Sequence, residues 1–353
     1  MSANHHIDTL IIGQGLAGSM LAWQLMAEGQ QVMVIADEKL NAASRAAAGL
    51  FNPVTGKRLV LQPHAELIIP EARAFYRQLE AHFNQPLFHE KEMLRVISTK
   101  SETEAYEKRC KDPAYAPYLG ETLPSPSMLN PAFELLEQKQ TGYLDTNRLL
   151  DCLKTDLQSQ RSFHACRFIY NELTVTTESI RYREIRARRI IFCEGYMGMF
   201  NPWFKWLPFQ PAKGEILTLK TSKPISDRII NAGKWLLPLE HGNYKTGATY
   251  ERDLSNTEPT QAGYREVVDS MQKMLSKPVE FELLHHQAGV RPNTRDKQPF
   301  IGLHPEQPRI GIFNGFGSKG SMLIPYYSQA FAHHLIDGSP IPAEADICRI
   351  AYE

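Results

Sequence analysis

The chain has 353 residues, 42% of them hydrophobic, and its 39 Lys plus Arg are balanced by 39 Asp plus Glu. That length and apolar content suit two globular domains with sizeable cores, and the even balance excludes the strong net field that draws a protein to nucleic acid or to an anionic membrane surface. The five cysteines, Cys110, Cys152, Cys166, Cys193 and Cys348, are scattered and never in CxxC spacing, which speaks against a disulfide framework or a zinc site and for a reducing, cytoplasmic setting. The opening MSANHHID has no basic segment followed by an apolar run, and no window reaches about 18 uninterrupted apolar residues, so neither a leader nor a membrane span is expected.

From Ile7 to Glu38 the sequence reads as a short apolar strand, a glycine turn, an amphipathic helix closed by Gly29, and a second apolar strand. This is the opening βαβ unit of a dinucleotide-binding domain, with Gly13, Gly15 and Gly18 in GxGxxG spacing and Asp37 at about the 20-residue distance where a ribose contact is expected. The helix amides point at the turn, so two phosphates could be held by backbone N–H groups and the helix dipole. The spacing alone leaves NAD and FAD both open. The segment NAASRAAAGLFNPVTGKR is a loop at the strand ends, with Ser44, Arg45, Ala48 and Gly49 its notable residues.

Between Pro70 and Phe83, apolar Phe75, Leu79 and Phe83 predict a helix with one buried face. EMLRVIS then predicts a strand, followed by a charged helix and a proline-rich loop holding Pro113, Pro117, Pro124, Pro126 and Pro131. Asp145 is expected to cap a helix whose inner side carries Leu149, Leu150, Leu153 and Leu157. Residues 163–192 alternate like short strands and end in a buried one that stops at Gly195, where ligands bind in sheets of this kind. EILTLK and YKTGATY read as antiparallel strands backed by a helix with Val267, Val268, Met271 and Leu275 on one side. RIGIFNG returns to the first sheet, and a second GxGxxG, Gly315, Gly317 and Gly320, opens a helix from about Met322 to Ile336. No βαβ partner or acidic residue follows it, so it is not a second nucleotide site, although a glycine-lined helix start can serve any anion.

Taken together, IIGQGLAG, SRAAAGL, GYLDTNRLL, RRIIFCEG, PAKGE, GATY, AGVRPNTRDKQPFIG and FGSKGSMLIP resemble the D-amino acid oxidase superfamily of FAD enzymes, and most closely its glycine oxidase-like branch. The resemblance spans nearly the whole chain. It implies an α/β, two-domain fold: a discontinuous FAD-binding domain, a glutathione-reductase-like Rossmann variant at 1–85, 143–210 and 286–353, and a substrate domain with an antiparallel sheet at 86–142 and 211–285. It also implies FAD as cofactor. Gly13, Gly15, Leu16, Ala17 and Gly18 would hold the pyrophosphate, while Ser44, Arg45, Ala48, Gly49 and Leu50 would line the pyrophosphate and the isoalloxazine. Phe168 would offer its backbone to the adenine and Gly195 would lie near the ring system. Phe316, Gly317, Ser318, Lys319, Gly320, Ser321 and Met322 would bring amides to the pyrimidine edge. The family's acidic residue at the end of the second strand falls on Ala36, leaving Asp37 as the ribose candidate beside the alternative of a solvated turn carboxylate.

The implied chemistry is oxidation of a C–N bond of a small amine or amino acid by hydride transfer to flavin N5, with oxygen or another acceptor taking the electrons. Arg291 in AGVRP falls on the family's carboxylate-binding position, and a guanidinium fork matches a carboxylate. Tyr250, after GAT, would line the substrate side. Where the glycine oxidase pattern has an additional Arg this chain has Ser318 followed by Lys319, a form closer to the oxidase half of the bifunctional enzyme that matures 5-methylaminomethyl-2-thiouridine in tRNA. A tRNA-modifying oxidase, a flavin-binding module without turnover and a membrane-associated dehydrogenase therefore stand as alternatives, and Lys319 is either a second anion contact or solvated. His285 and His286 are adjacent on a strand and face opposite ways, which spoils them as a metal pair; no metal site is expected.

Overall fold

A computed structural model describes residues 6–40 and 42–352, and of His6 the backbone only. Most of the opening MSANHHID segment, and Asn41 at the head of the first loop, lie outside the described residues. The chain divides into two compact units that alternate along the sequence, 1–45, 146–212 and 290–353 in the first and 46–145 and 213–289 in the second.

The first unit opens with β1 (His6–Ile12), α1 (Leu16–Ala27) and β2 (Val32–Ala36), and a short helix α2 (Ala43–Ala46) leads out of it. The second unit then contributes β3 (Leu50–Phe51), β4 (Val54–Thr55), β5 (Val60–Leu61), α3 (Ala65–Phe83), β6 (Phe88–Glu90), β7 (Met93–Ile97), α4 (Lys100–Arg109), β8 (Leu119–Pro124), β9 (Glu134–Gln138) and β10 (Gly142–Leu144). The chain returns with α5 (Thr146–Ser159), β11 (Phe163–Ala165), β12 (Leu173–Val175), β13 (Ile180–Tyr182) and β14 (Ile185–Phe192). A second visit to the second unit adds β15 (Ala212–Thr221), β16 (Ile229–Ala232), β17 (Lys234–Pro238), β18 (Asn243–Gly247), α6 (Gln261–Met274) and β19 (Phe281–Arg291). β20 (Phe300–His304), β21 (Gln307–Asn314) and α7 (Gly320–Asp337) complete the first.

In the first unit β11, β2, β1, β14 and β21 run parallel, with β13, β12 and β20 added antiparallel. β14 is buried through Arg189 to Phe192, as expected for a central parallel strand covered on both faces. One face packs a core of Leu10, Ile12, Ile190, Phe192, Phe204, Ile310 and Ile312. α1 packs against α7 and α5. In the second unit an eight-stranded sheet runs in the order β19-β15-β18-β17-β16-β7-β9-β8, and Val267, Met271 and Met274 of α6 join Leu217, Leu219, Ile230 and Leu236 in its core. A three-stranded sheet, β3-β10-β6, belongs to the same unit.

Several local boundaries differ from the sequence reading. The proline-rich stretch holds two strands, β8 and β9, because Pro124 ends β8 at an edge of the sheet where a missing N–H donor is tolerated. The helix expected from Pro70 begins at Ala65 and carries Pro70 inside it, and Phe83 is only half-buried while Phe75 and Leu79 are buried. β16 and β17 are additional strands, and α7 starts at Gly320 rather than Met322. Residues 46–85, expected with the cofactor domain, fall in the second unit. Their bonds explain this: β3 pairs with β10, Leu144 N donates to Gly49 O at 2.9 Å, and Gln138 Nε2 donates to Val54 O at 2.9 Å.

Candidate active site

The first unit gathers its chemistry at one edge of its sheet. Ile12 is in register with Ile35 and with Phe192, and Phe192 in turn with Ile312. The carboxyl ends of β2, β1, β14 and β21 are therefore level, and the chain leaves three of them through Gly13, Gly195 and Gly315, all at positive φ (112°, 58° and 84°). Ligands of open parallel sheets bind at such an edge.

At the first bend, a Cβ on Gly13 would lie 2.3 Å from Cys193 O, and one on Gly18 would lie 1.9 Å from Gly13 O. Those two glycines are required by the protein's own backbone. Gly15 is different, for a Cβ there would meet nothing nearer than Ser44 Oγ at 3.4 Å. The space over Gly15 is thus room for a ligand against the start of α1. That helix has no side-chain cap at Gly15 and no acidic residue in its first turn, so its positive end is not neutralised locally. Ser44 Oγ accepts from Leu16 N at 3.2 Å and fixes the bend's geometry, and Ala17 follows within the same first turn. This combination fits a pyrophosphate.

The second bend lies beside the first. A Cβ on Gly320 would come within 3.9 Å of Leu16 Cδ1, so the starts of α1 and α7 are neighbours. Phe316 is buried on Phe313, Gly317 has φ 55°, Ser318 is exposed, and Ser321 and Met322 are buried in the first turn of α7. Lys319 stands at the N-cap; burial first and neighbouring Lys297 second push its ammonium below the usual lysine range.

The remaining expected residues fall as follows. Ala36 ends β2, and Asp37 Oδ1 accepts from Lys39 N at 3.0 Å in an Asx turn, while Glu38 pairs with Lys154. Arg45 Nη1 donates to Asp151 Oδ1 at 2.6 Å and to Asn147 O at 3.2 Å, so its guanidinium clamps α2 to α5. The Phe168 ring stacks on Tyr182 with centroids 4.5 Å apart, at the margin of the unit's core. Arg291 ends β19, half-buried, and Asn293 N donates to its carbonyl at 2.9 Å. Ala48, Gly49, Leu50 and Tyr250 belong to the second unit. There a Cβ on Gly49 would lie 2.0 Å from Leu144 O, Ala48 and Leu50 pack with Met93, Tyr143 and Trp235, and Tyr250 is 59% exposed.

Two residues that the sequence reading passed over complete the edge. Asn314 Nδ2 donates to Gly195 O at 2.8 Å while its Oδ1 accepts from Gly315 N at 2.8 Å, tying the end of β14 to the second bend. Glu194, between β1 and β21 in the sheet order, accepts from Tyr170 Oη at 2.6 Å and Asn201 Nδ2 at 2.8 Å. Burial raises its carboxyl to about 7, against the lowering effect of these two donors. A glutamate directly before Gly195 was the available signal, but its partners are set only by the fold.

Among the described residues no three His, Cys, Asp or Glu side chains come together to hold a metal, and no helix is long and apolar enough to cross a membrane. Of the adjacent histidines, His285 is exposed and His286 is turned to Glu215.

The family model described as FAD dependent oxidoreductase (DAO) matches residues 8–334. The chain belongs to this family. Within it the chain sits with the glycine oxidase-like branch. It is 22% identical over 351 residues to glycine oxidase of Pseudomonas putida, covering 95% of this chain and 96% of that protein. It is 23% identical over 349 residues to the tRNA 5-methylaminomethyl-2-thiouridine biosynthesis bifunctional protein MnmC of Marinobacter nauticus, covering 92% of this chain but only 55% of that protein's length. Among solved structures, a glycine oxidase from Bacillus cereus superposes with a TM-score of 0.77 at 20% identity, covering 95% of this chain and 96% of the other, a likeness of fold.

Proposed function

We propose that this member of the FAD dependent oxidoreductases binds FAD along the carboxyl edge of the first unit, a glutathione-reductase-like variant of the Rossmann fold, and oxidises a C–N bond of a small amine or amino acid. The observation that carries the reading is the level set of strand ends with two uncapped helix starts side by side. The backbone of Gly15, Leu16 and Ala17 would hold the pyrophosphate against the positive end of α1, with Ser44 keeping the bend in shape. Asp37 would use its remaining oxygen on the adenosine ribose, beside Ala36, and the backbone near Phe168 would meet the adenine. The segment Gly317 to Met322 would present the positive end of α7 to the anionic edge of the ring, where a preorganised dipole stabilises developing charge.

Bound FAD supplies the two-electron acceptor for the substrate's C–N bond, and oxygen or another acceptor would receive the electrons. Arg291 would grip a substrate carboxylate through its two-pronged fork and so orient the amine. Tyr250 would shape the substrate side of the pocket. Asn314 would hold Gly195 through its carbonyl, and Glu194, tied to Tyr170 and Asn201, would support the same strand end. Five cysteines that form no disulfide support a reducing, cytoplasmic setting.

A second reading, oxidation of a carboxymethylamino group on a modified tRNA nucleoside, is favoured by the likeness to the Marinobacter protein over nearly the whole of this chain. One experiment separates them: anaerobic mixing of the FAD-loaded protein with amino acids, N-methyl amines and modified nucleosides while following the oxidised flavin band at about 450 nm. Bleaching by amino acids alone supports the first reading, and bleaching by the nucleoside alone supports the second. No bleaching by any of them rejects both.

A further inference from the structure

We propose that a buried charge cluster in the second unit, Lys213, Glu215 and His286 together with Lys234, is a positioning device that sets the turn carrying Tyr250 for the substrate. The inference rests on the proposed amine oxidation and adds residues that have no role in it so far.

Lys213 and Glu215 lie on β15 and are fully buried. Lys213 Nζ is 2.9 Å from Glu215 Oε1 and 3.5 Å from Glu251 Oε2. The Glu215 carboxylate also accepts from Thr260 N at 3.0 Å and Thr260 Oγ1 at 2.9 Å, at the start of α6, and His286 Nε2 lies 2.8 Å from its other side. A carboxylate can only accept, so the proton of that last bond sits on His286. α6 approaches so closely that a Cβ on Gly263 would stand 2.2 Å from Glu215 Oε2. Burial alone would raise the Glu215 carboxyl, and this ring of donors holds it below the usual range instead.

The same residues grip the chain on either side of Tyr250. Lys213 and Glu251 exchange backbone hydrogen bonds of 2.8 and 3.0 Å. Glu215 N donates to Thr249 Oγ1 at 2.9 Å, and Thr249 N donates back to Glu215 O at 3.3 Å. Lys234 Nζ, anchored on Glu266 at 2.7 Å, donates to Ala248 O at 3.0 Å. Positions 248, 249 and 251 are therefore pinned, and Tyr250 projects from between the pins with 59% exposure. A buried ion pair is a poor device for stability alone, since well-packed apolar residues serve as well. What a buried charge pair held by directional partners adds is a single permitted geometry. Here that geometry is delivered to one turn.

The test compares the FAD-loaded full chain with Glu215→Gln and Lys234→Met by hydrogen exchange of peptides covering Ala248–Glu251, together with steady-state kinetics on glycine and N-methylglycine. Expected is an exchange rate in that segment raised about tenfold or more and a KM raised between about ten- and a hundredfold, with kcat held within about twofold and the flavin band kept; the melting temperature stays near that of the unaltered protein in Lys234→Met and falls in Glu215→Gln, which leaves the Lys213 ammonium buried without its partner. If Glu215→Gln fails to fold, Lys234→Met, which removes one donor to the turn without burying a lone charge, decides. Unchanged exchange in Lys234→Met overturns the proposal, as does a loosened turn with an unchanged KM. So does a parallel loss of melting temperature and flavin with KM unaltered, which would mark the cluster as structural. Where neither compound is turned over by the unaltered protein, the kinetics use whichever amine of the wider panel bleaches the flavin; if none does, the proposed oxidation falls and this positioning role falls with it.

Discussion

The two glycine bends of the first unit share one spacing and differ in what demands their glycines. At the first, backbone meets backbone: Cys193 O stands over Gly13, and Gly13 O over Gly18. At the second, a side chain stands nearest in each case, with Thr294 Cγ2 2.8 Å from a Cβ placed on Gly315, ahead of Phe300 N at 3.1 Å, and Asn293 Oδ1 2.6 Å from one on Gly317. Backbone has nowhere to go, whereas a side chain can turn aside. The first bend is a close approach of helix and strands, and the second is mainly a matter of left-handed φ. An identical pattern of letters therefore stands for two physical requirements, and only the first belongs to a βαβ unit.

Five substitutions probe that contrast. Gly18→Ala should have the largest effect, about 3 kcal/mol or more of lost stability in a denaturant melt, because helix and strand must separate. Its control is Gly15→Ala, which should fold within about 1 kcal/mol of the parent yet lose FAD affinity; normal FAD retention there would remove Gly15 from the cofactor site.

Glu194→Gln concerns the strand end between the bends. The folded carboxyl, at about 7, keeps its proton where the unfolded chain, at about 4.3, has released it, so the folded state binds more protons between these values. Stability is therefore lost as pH rises from about 4.5 to 7, and the full cost persists above. The glutamine variant should gain up to about 3 kcal/mol relative to the parent at pH about 8, and the gain should fade toward pH about 4.5. A pH-independent difference would show that the carboxyl is not held neutral.

Gly317→Ala should cost about 1 to 2 kcal/mol from left-handed strain, since the Asn293 side chain can rotate away. A loss equal to that of Gly18→Ala would erase the distinction between the bends. Ser44→Ala should be mildest, about 1 kcal/mol for the bond to Leu16 N, read by thermal melting. Separately, Arg291→Ala should weaken carboxylate-bearing substrates by about 2 to 5 kcal/mol in kcat/KM while FAD stays bound, and unchanged turnover would take Arg291 out of the site.

The legible part of this molecule is the part written in short-range pattern. Gly13, Gly15 and Gly18 could be read because a strand, a turn and a helix follow one another, and the alternation that separates His285 from His286 is likewise local. The partner of Arg45 could not be read from its place in a loop: Asp151, more than a hundred residues away, holds its guanidinium, and only tertiary structure brings them together. Glu194 stood next to a glycine already singled out, yet its character comes from Tyr170 and Asn201 closing over it. The strands β8 and β9 were hidden by prolines whose cost depends on whether the strand is at an edge, which composition does not reveal. The segment 46–85 follows the first βαβ unit in sequence, whereas its hydrogen-bond partners Gln138 and Leu144 lie far along the chain.

The order of strands in the first sheet bears on biosynthesis. β1 sits beside β14 and β14 beside β21, so a nascent chain that has exposed its first glycine bend must wait for the middle and then the final portion of the polypeptide before the sheet can close. Pairings so distant in sequence slow folding and leave unpaired strand borders open to misassociation, and N-terminal fragments released early would carry a complete glycine turn with no neighbour to hold it. Bound FAD would stabilise only the closed sheet, so its supply during refolding should raise the yield of native protein.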